Sequence, residues 1–570
     1  MNHIYRKVWN RRLGAFVAVA ETARSCGKAA GAAGLVAAAS AAFAAGPGTL
    51  PTGGQVTAGS AAIAQQGSAM TVTQGSQRAA INWQNFSIGK DASVTFQQPN
   101  AQAVVLNRVT GADTSVIDGA LKANGQVFVL NPNGVLFGKG ARVDTAGLVA
   151  STRDLSDADF MAGKASFSGS GAGSVVNEGT LNAADGGYVA LIGQQVRNDG
   201  VISAKLGHVA LAAGNQVTLN FNGSSLVGVT LEQGALDSLV ANGGAILADG
   251  GQVLLTAKAA EGLLDGMVNH SGEIRARSIA EHEGKIVLLG DMERGTTTVS
   301  GTLDASAPDG GNGGFIETSA AKVKVADSAH ITTAAPQGKT GTWLIDPQDY
   351  TIASGGDISG ATLSAQLNNN HVGIQSINGG TSGNGDIFVN DAVNWSANTT
   401  LSLVADRNIY INKPITATGA SGKLALEYGQ AANDGVVGGQ ASDYYVWAPI
   451  SLQAGQNFST IAGGLGSTNT YTVVTSLGAL GNTSTADLIG ALNTSTVTAY
   501  LALGANMDAN SISFTNSVAG SNTPTVFTGL GHTISNIDIA GASNANSCLL
   551  RRRPGQPDGA RSAPGQREYP

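Results

Sequence analysis

The chain has 570 residues, of which only 12% are charged, 42% are hydrophobic and 79 are glycine. So few charges exclude long charged, amphipathic helices, while abundant Gly, Asn, Ser and Thr supply turns. A disordered chain would be more polar and more charged, so a core of Val, Ile, Leu and Ala in small stacked layers is expected.

The first 28 residues carry Arg6, Lys7, Arg11, Arg12, Arg24 and Lys28 against Glu21, a net of +5. Residues 549 to 570 carry five arginines against Asp558 and Glu568, a net of +3, which leaves −15 of the whole-chain −7 for the residues between. An acidic middle without basic clusters argues against nucleic acid and against anionic lipid as partners. Cys26 and Cys548 are too few and too terminal for a disulfide framework.

An apolar run, AAGAAGLVAAASAAFAA over residues 29 to 45, follows the basic stretch. Ala42 and Ala44 stand at the −3 and −1 positions of a signal-peptidase site, so the cut falls after Ala44 and the mature chain starts at Ala45. The run is short and poor in Leu and Ile, which disfavours a membrane anchor. The preceding stretch, MNHIYRKVWNRRLGAFVAVAETARSCGK, is longer than an ordinary basic leader. It resembles the extended signal-peptide region of very large exported proteins at Tyr5-Arg6, Val8-Trp9-Asn10, Val17-Ala18-Val19, Glu21, Ala23-Arg24 and Gly27-Lys28. That resemblance implies Sec-dependent export and processing by signal peptidase, for an autotransporter or a two-partner exoprotein.

Further along, Gln126 to Gly138 reads as strand, turn and strand. Pro132 fixes φ at the second turn position, Asn133 suits the third and Gly134 relieves the fourth. Between residues 175 and 320 one unit then recurs: VVNEGTLNAADGGYVALIG, VRNDGVISAKLGHVALAAG, VANGGAILADGGQVLLTA and two looser copies. Asn177 to Asn198 spans 21 residues and Val189 to Val209 spans 20. Each unit holds short alternating apolar runs separated by Gly-containing turns. A unit of about 20 residues buries its apolar face only by stacking on a neighbour, so the spacing predicts an all-β, right-handed parallel β-helix. Leucine-rich repeats and propellers need other frames and periods. The gap from Val253 to Ile286 is 33 residues, which predicts an insertion around 258 to 280, a short helix or hairpin leaving the stack.

The turn and its surroundings carry a family resemblance. INWQNFSIGKDASVTFQQPNAQAVVLNRVTG (81 to 111), the turn, and GLVASTRDLSDADF (147 to 160) resemble the N-terminal secretion (TPS) domain of the filamentous haemagglutinin family, particularly its high-molecular-weight adhesin branch. The resemblance implies recognition in the periplasm by an outer-membrane TpsB β-barrel transporter with POTRA domains, and folding outside the cell. Asn131, Pro132, Asn133, Gly134 and Val135 correspond to the family's secretion motif, with Val in place of the usual Ile. No upstream Asn-Pro-Asn-Leu motif is present; Asn107-Arg108-Val109-Thr110-Gly111 stands in its place, as in the adhesin branch. GTWLIDPQDYTI (341 to 352) resembles a family signature at the end of the first helical section, and GDIFVNDAVNW, TLSLVADRNIYINKPITATGASGKLAL and FTGLGHTISNIDIAG resemble passenger repeats.

The expected organisation is therefore an extended signal peptide (1–44), a secretion domain (45–320), passenger β-helix (321–546) and an atypical Arg- and Pro-rich tail (547–570), read as frameshifted or truncated. A β-helical enzyme would need clustered carboxylates with a basic partner, and Asp304, Asp309 and Glu317 lack one. The seven histidines show no metal-ligand spacing and read as solvated turn residues. No cofactor, metal or catalytic residue is expected. Sequons at Asn85, Asn394, Asn398, Asn457, Asn482 and Asn493 are candidate modification sites. The resemblance implies a secreted, cell-surface adhesin that binds a host-cell receptor or glycan. The alternatives are the stalk of a contact-dependent growth-inhibition toxin and a haem-acquisition exoprotein.

Overall fold

The computed structural model describes residues 5–10, 15–20, 45–260, 266–377, 379, 383–493, 500–510, 512–514 and 526–539. The chain divides into two compact units, Met1–Phe43 and Ala44–Pro570. In the first, strands Tyr5–Asn10 and Ala15–Ala20 pair antiparallel, with Val8 opposite Val17. The proposed cleavage residues Ala42 and Ala44, both cysteines and the 547–570 tail lie outside the described residues; Ala45 is the first described residue of the second unit.

The second unit is a parallel β-helix. Along its first 270 or so residues each coil presents three strands in turn, exemplified by Ala120–Ala123, Gln126–Leu130 and Val135–Phe137. The second of these faces is the longest. Its inner positions run Leu148, Val189, Val209, Val253, Ile286, Ile316, Trp343, Val372, Leu401, Leu424 and Phe458, each in register with the next. All are buried. Burying a Val, Leu or Ile side chain contributes about 1.5–3 kcal/mol relative to leaving it exposed. That gain exists only between coils, which is why the repeats fold as a stack. The registers Asn177 with Asn198 and Val189 with Val209 match the repeat spacing of the sequence.

The start of the stack is closed by antiparallel strands. Ala61–Gln66 pairs with Ala69–Gln74, and Gln55–Ala58 with Arg78–Trp83. Reversing direction there removes a bare parallel edge. At the other end of the first face, helix Gly360–Leu367 replaces a strand. Gln366 accepts the Ile331 N–H and donates to the Ala329 carbonyl, and Asn370 donates to the Ile331 carbonyl, so side chains satisfy the backbone of the last strand, His330–Thr332.

Of the expected insertion at 258–280, residues 261–265 lie outside the described residues, and the remainder is corrected. Met267–His270 and Glu273–Arg275 are regular ladder strands, and Val253 pairs in register with Ile286 across the long gap. The chain leaves the stack elsewhere, at 152–173 and 214–238, both times at the corner between the second and third faces. The first excursion carries the short helix Asp157–Met161. The second is the hairpin of Gln216–Asn222 and Ser225–Gln233, to which Ser166–Ser168 adds a third antiparallel strand. Phe160, Phe167, Val217 and Leu219 from these excursions pack on the outer side of the second face, against Phe128, Ala190 and Ala210. The strand Gln126–Leu130 is thus buried on both sides.

Candidate functional site

The Asn131–Gly134 turn lies at the corner where the excursions leave. The Gly134 N–H donates to the Asn131 carbonyl at 3.0 Å, closing a four-residue turn. Asn131 is fully buried and organises it. Its Oδ1 accepts the Asn133 N–H at 2.9 Å, and its Nδ2 donates to the Asp113 carbonyl at 2.9 Å and to Ser115 Oγ at 3.0 Å. The preceding coil is therefore sewn to the turn by one amide group, joined by Asn133 Nδ2 donating to the Gly111 carbonyl at 3.0 Å. Gly134 has a φ of +117°, a conformation L side chains rarely adopt. Val135 is buried in the core, while Pro132 and Asn133 form the exposed tip.

The returning end of the first excursion lies over this turn. A Cβ on Gly173 would stand 2.4 Å from the Gly134 nitrogen, so only glycine permits that approach. Arg153 holds the excursion in place. It is 1% exposed and donates to the Gly171 carbonyl at 2.6 Å, the Gly214 carbonyl at 2.8 Å and Asn215 Oδ1 at 3.2 Å. Burial lowers its pKa from the ordinary arginine value.

The NRVTG and TRDLSDADF motifs meet in space. Asn107 is buried, accepts the Trp83 indole N–H at 3.0 Å and donates to the Phe128 carbonyl at 3.2 Å. Arg108 donates to Asp154 at 2.8 Å, to Asp157 at 2.6 Å and to Asn82 at 3.1 Å, and also reaches the Leu155 carbonyl. Thr57 donates to the other oxygen of Asp157 at 2.7 Å. Burial opposes the Arg108 charge, but the two aspartates outweigh it and hold its pKa above the ordinary value. Burial likewise opposes the Asp157 charge, and Thr57 and Arg108 outweigh it to hold that carboxyl low. The two motifs, far apart in sequence, come together only in the fold; the clustering of charges in so uncharged a chain is the signal that pairs them.

Two further expectations are corrected. His270 is not a solvated turn residue but is 1% exposed, at the end of a side-chain ladder. Asn177 donates to Asn198 at 2.7 Å, Asn198 to Asn242 at 2.7 Å, and Asn242 Nδ2 lies 3.2 Å from His270 Nδ1. Asn457, in one sequon, is buried and donates to the Ala420 and Gln453 carbonyls at 3.1 Å each.

Comparison with known proteins agrees with this geometry. Residues 48–305 match the TPS secretion domain family, and residues 1–49 match the Extended Signal Peptide of Type V secretion system. A Heme/hemopexin-binding protein of Haemophilus influenzae is 36% identical over 259 residues, 42% of this chain and 27% of that protein. A second protein of that name and species is 34% identical over 246 residues, 39% of this chain and 26% of that protein. The chain thus spans about a quarter of the length of these relatives. The crystal structure of the HMW1 secretion domain from Haemophilus influenzae superposes with a TM-score of 0.51 at 25% identity, over 70% of this chain and 98% of that one.

Proposed function

This chain belongs to the two-partner secretion exoproteins, with a TPS secretion domain behind an extended signal peptide, and is exported to the exterior or the cell surface; from that premise we propose that it is an adhesin. In this reading residues 1–44 are removed by signal peptidase after Sec export. Residues 45–320 are then recognised by an outer-membrane TpsB barrel through its POTRA domains, and residues 321–546 form the passenger. Asn131, Pro132, Asn133, Gly134 and Val135 act as the secretion motif. Asn131, Gly134 and Val135 set the corner, and the exposed Pro132-Asn133 tip meets the transporter.

The observation that supports it best is the unbroken register from Phe315–Ser319 through Thr342–Asp346 to Val372 and Leu401. A stack that emerges secretion domain first offers each new coil a formed edge, so folding outside the cell can proceed coil by coil. Such a surface carries passenger repeats outward, which suits adhesion to a host receptor or glycan.

Export with the cognate TpsB barrel tests the motif. Pro132→Ala, at the exposed tip, is expected to leave folding intact and reduce the secreted fraction severalfold; unchanged secretion removes the assigned role. Binding of the secreted chain to host cells tests the adhesin reading. The two relatives' name favours a second reading, capture of haem or hemopexin. Saturable binding of haem or hemopexin in place of host cells would favour it.

A further inference from the structure

Between the second face and the accessory layer lies a cavity of about 420 Å³. Its floor is Gln126 and Phe128, its roof Phe221 at the tip of the hairpin, and its charged residues are Arg78 and Lys164. Lys164 is largely exposed and pairs with Asp159 at 3.3 Å. Arg78 differs. Its guanidinium lies 5.2 Å from the centre of the Phe160 ring and donates to the Phe160 carbonyl at 3.1 Å. Among the described residues no carboxylate pairs with it, and burial lowers its pKa from the ordinary arginine value.

A half-buried guanidinium facing an acid-free cavity retains most of its capacity to bind an anion, because a guanidinium presents five donors and one carbonyl takes only one. The surrounding rings narrow the chemistry. Phe221, half-buried at the hairpin tip, offers an apolar face. Phe128 closes the floor with its ring packed on Phe160 and Phe167, and the Gln126 amide is held by the Tyr188 hydroxyl at 2.7 Å and the Ser224 carbonyl at 3.5 Å. Inorganic phosphate or chloride would meet the charge and leave the Phe221 ring unused. A neutral aromatic molecule would meet that ring and leave the cation unpaired.

We propose that this cavity is a binding site for an organic carboxylate on a planar apolar body, with the carboxylate on Arg78 and the body against Phe221. It lies away from the Asn131–Val135 corner, and the inference does not depend on the adhesin reading.

Three probes on the full-length chain test it by calorimetry: 3-phenylpropionate, its uncharged amide 3-phenylpropanamide, and inorganic phosphate. The expected order is saturable binding of 3-phenylpropionate, with the amide and phosphate each at least tenfold weaker. Arg78→Gln should weaken 3-phenylpropionate at least tenfold, and Lys164→Gln less than threefold. Equal binding of acid and amide, or equal binding of acid and phosphate, overturns the site without any variant. Unchanged affinity in a folded Arg78→Gln chain, checked by its far-ultraviolet spectrum, also overturns it.

Discussion

Arg108 donates to Asp157 at 2.6 Å across 49 residues of chain, and the pair ties the second face to the start of the first excursion. The guanidinium side chain is 17% exposed and that of Asp157 is 32% exposed. Replacing Arg108 by Met leaves Asp157 with only Thr57 and frees the Leu155 carbonyl. Allowing for solvent near Asp154, the expected loss is about 2 kcal/mol at pH 7. The carboxyl of Asp157 is held low in the folded chain, so its contribution is present above the unfolded aspartate pKa and fades as pH falls through the lowered folded value. Denaturant midpoints of the two chains should therefore differ at pH 7 and converge in strong acid; parallel midpoints throughout would contradict the pairing.

Asn131 and Asn133 sit two residues apart yet should respond differently. Asn131 is buried, and an alanine there strands the Asp113 carbonyl, Ser115 and the Asn133 N–H, at a cost of about 2–3 kcal/mol. Asn133 is exposed and makes one side-chain bond, to the Gly111 carbonyl, so Asn133→Ala should cost about 1 kcal/mol or less. Chemical denaturation of both single variants separates the corner's scaffold from its tip. Similar losses would mean the turn is not organised by Asn131.

Periodicity carried the fold because a solenoid has one dominant requirement, that inward positions stack. Val189 over Val209 and Asn177 over Asn198 were readable from spacing alone. The excursions were not, because their apolar residues, Phe160, Phe167 and Val217, answer to the outside of the second face and follow no coil period. The long interval between Val253 and Ile286 reads as an insertion along one face because it holds the two ordinary strands Met267–His270 and Glu273–Arg275, which belong to the other faces. The secretion-motif turn was visible through its Pro and Gly. The role of Arg153 is not legible in the sequence, since nothing local shows that carbonyls 18 and 61 residues away accept its hydrogen bonds.

A second ladder runs along the corner before the strands Tyr350–Ile352, Ile387–Val389, Ile409–Ile411 and Tyr444–Val446. Asp349 accepts the Asp386 N–H at 2.8 Å, Asp386 accepts the Asn408 N–H at 3.0 Å, and Asn408 accepts the Asp443 N–H at 2.9 Å. Asp443 is the top rung, and burial raises its pKa to about 7 against the opposing Tyr444 N–H. An acid raised in the folded state contributes stability that is full below its unfolded pKa and is lost as pH rises through the folded value. Asp443→Asn keeps the acceptor and removes the charge, as Asn408 already does one coil below. It should therefore raise stability by about 2 kcal/mol at pH 8, after discounting for partial solvation, and change little at pH 4. Thermal unfolding at the two pH values decides it; equal gains at both would deny the carboxyl its titration.

His270 sets the opposite pH trend. In the folded chain its Nε2–H donates to the Thr302 carbonyl at 3.0 Å, which leaves Nδ1 to accept from Asn242. A proton on Nδ1 would face the Asn242 amide donor, and relieving that clash would require Asn242, Asn198 and Asn177 each to turn over. Burial accordingly lowers the His270 pKa to about 4, against the opposing Thr302 carbonyl. Between pH 6.5 and 4 the unfolded chain takes up a proton that the folded chain refuses, so stability falls across that window by up to about 3 kcal/mol and levels off below it. His270→Asn replaces the titrating rung with a fourth asparagine and should flatten this part of the profile while leaving stability at pH 8 within about 1–2 kcal/mol of the parent. Unfolding free energies at half-unit steps from pH 4 to 8 for both chains measure it, and a slope that survives the substitution would place the acid sensitivity outside the ladder.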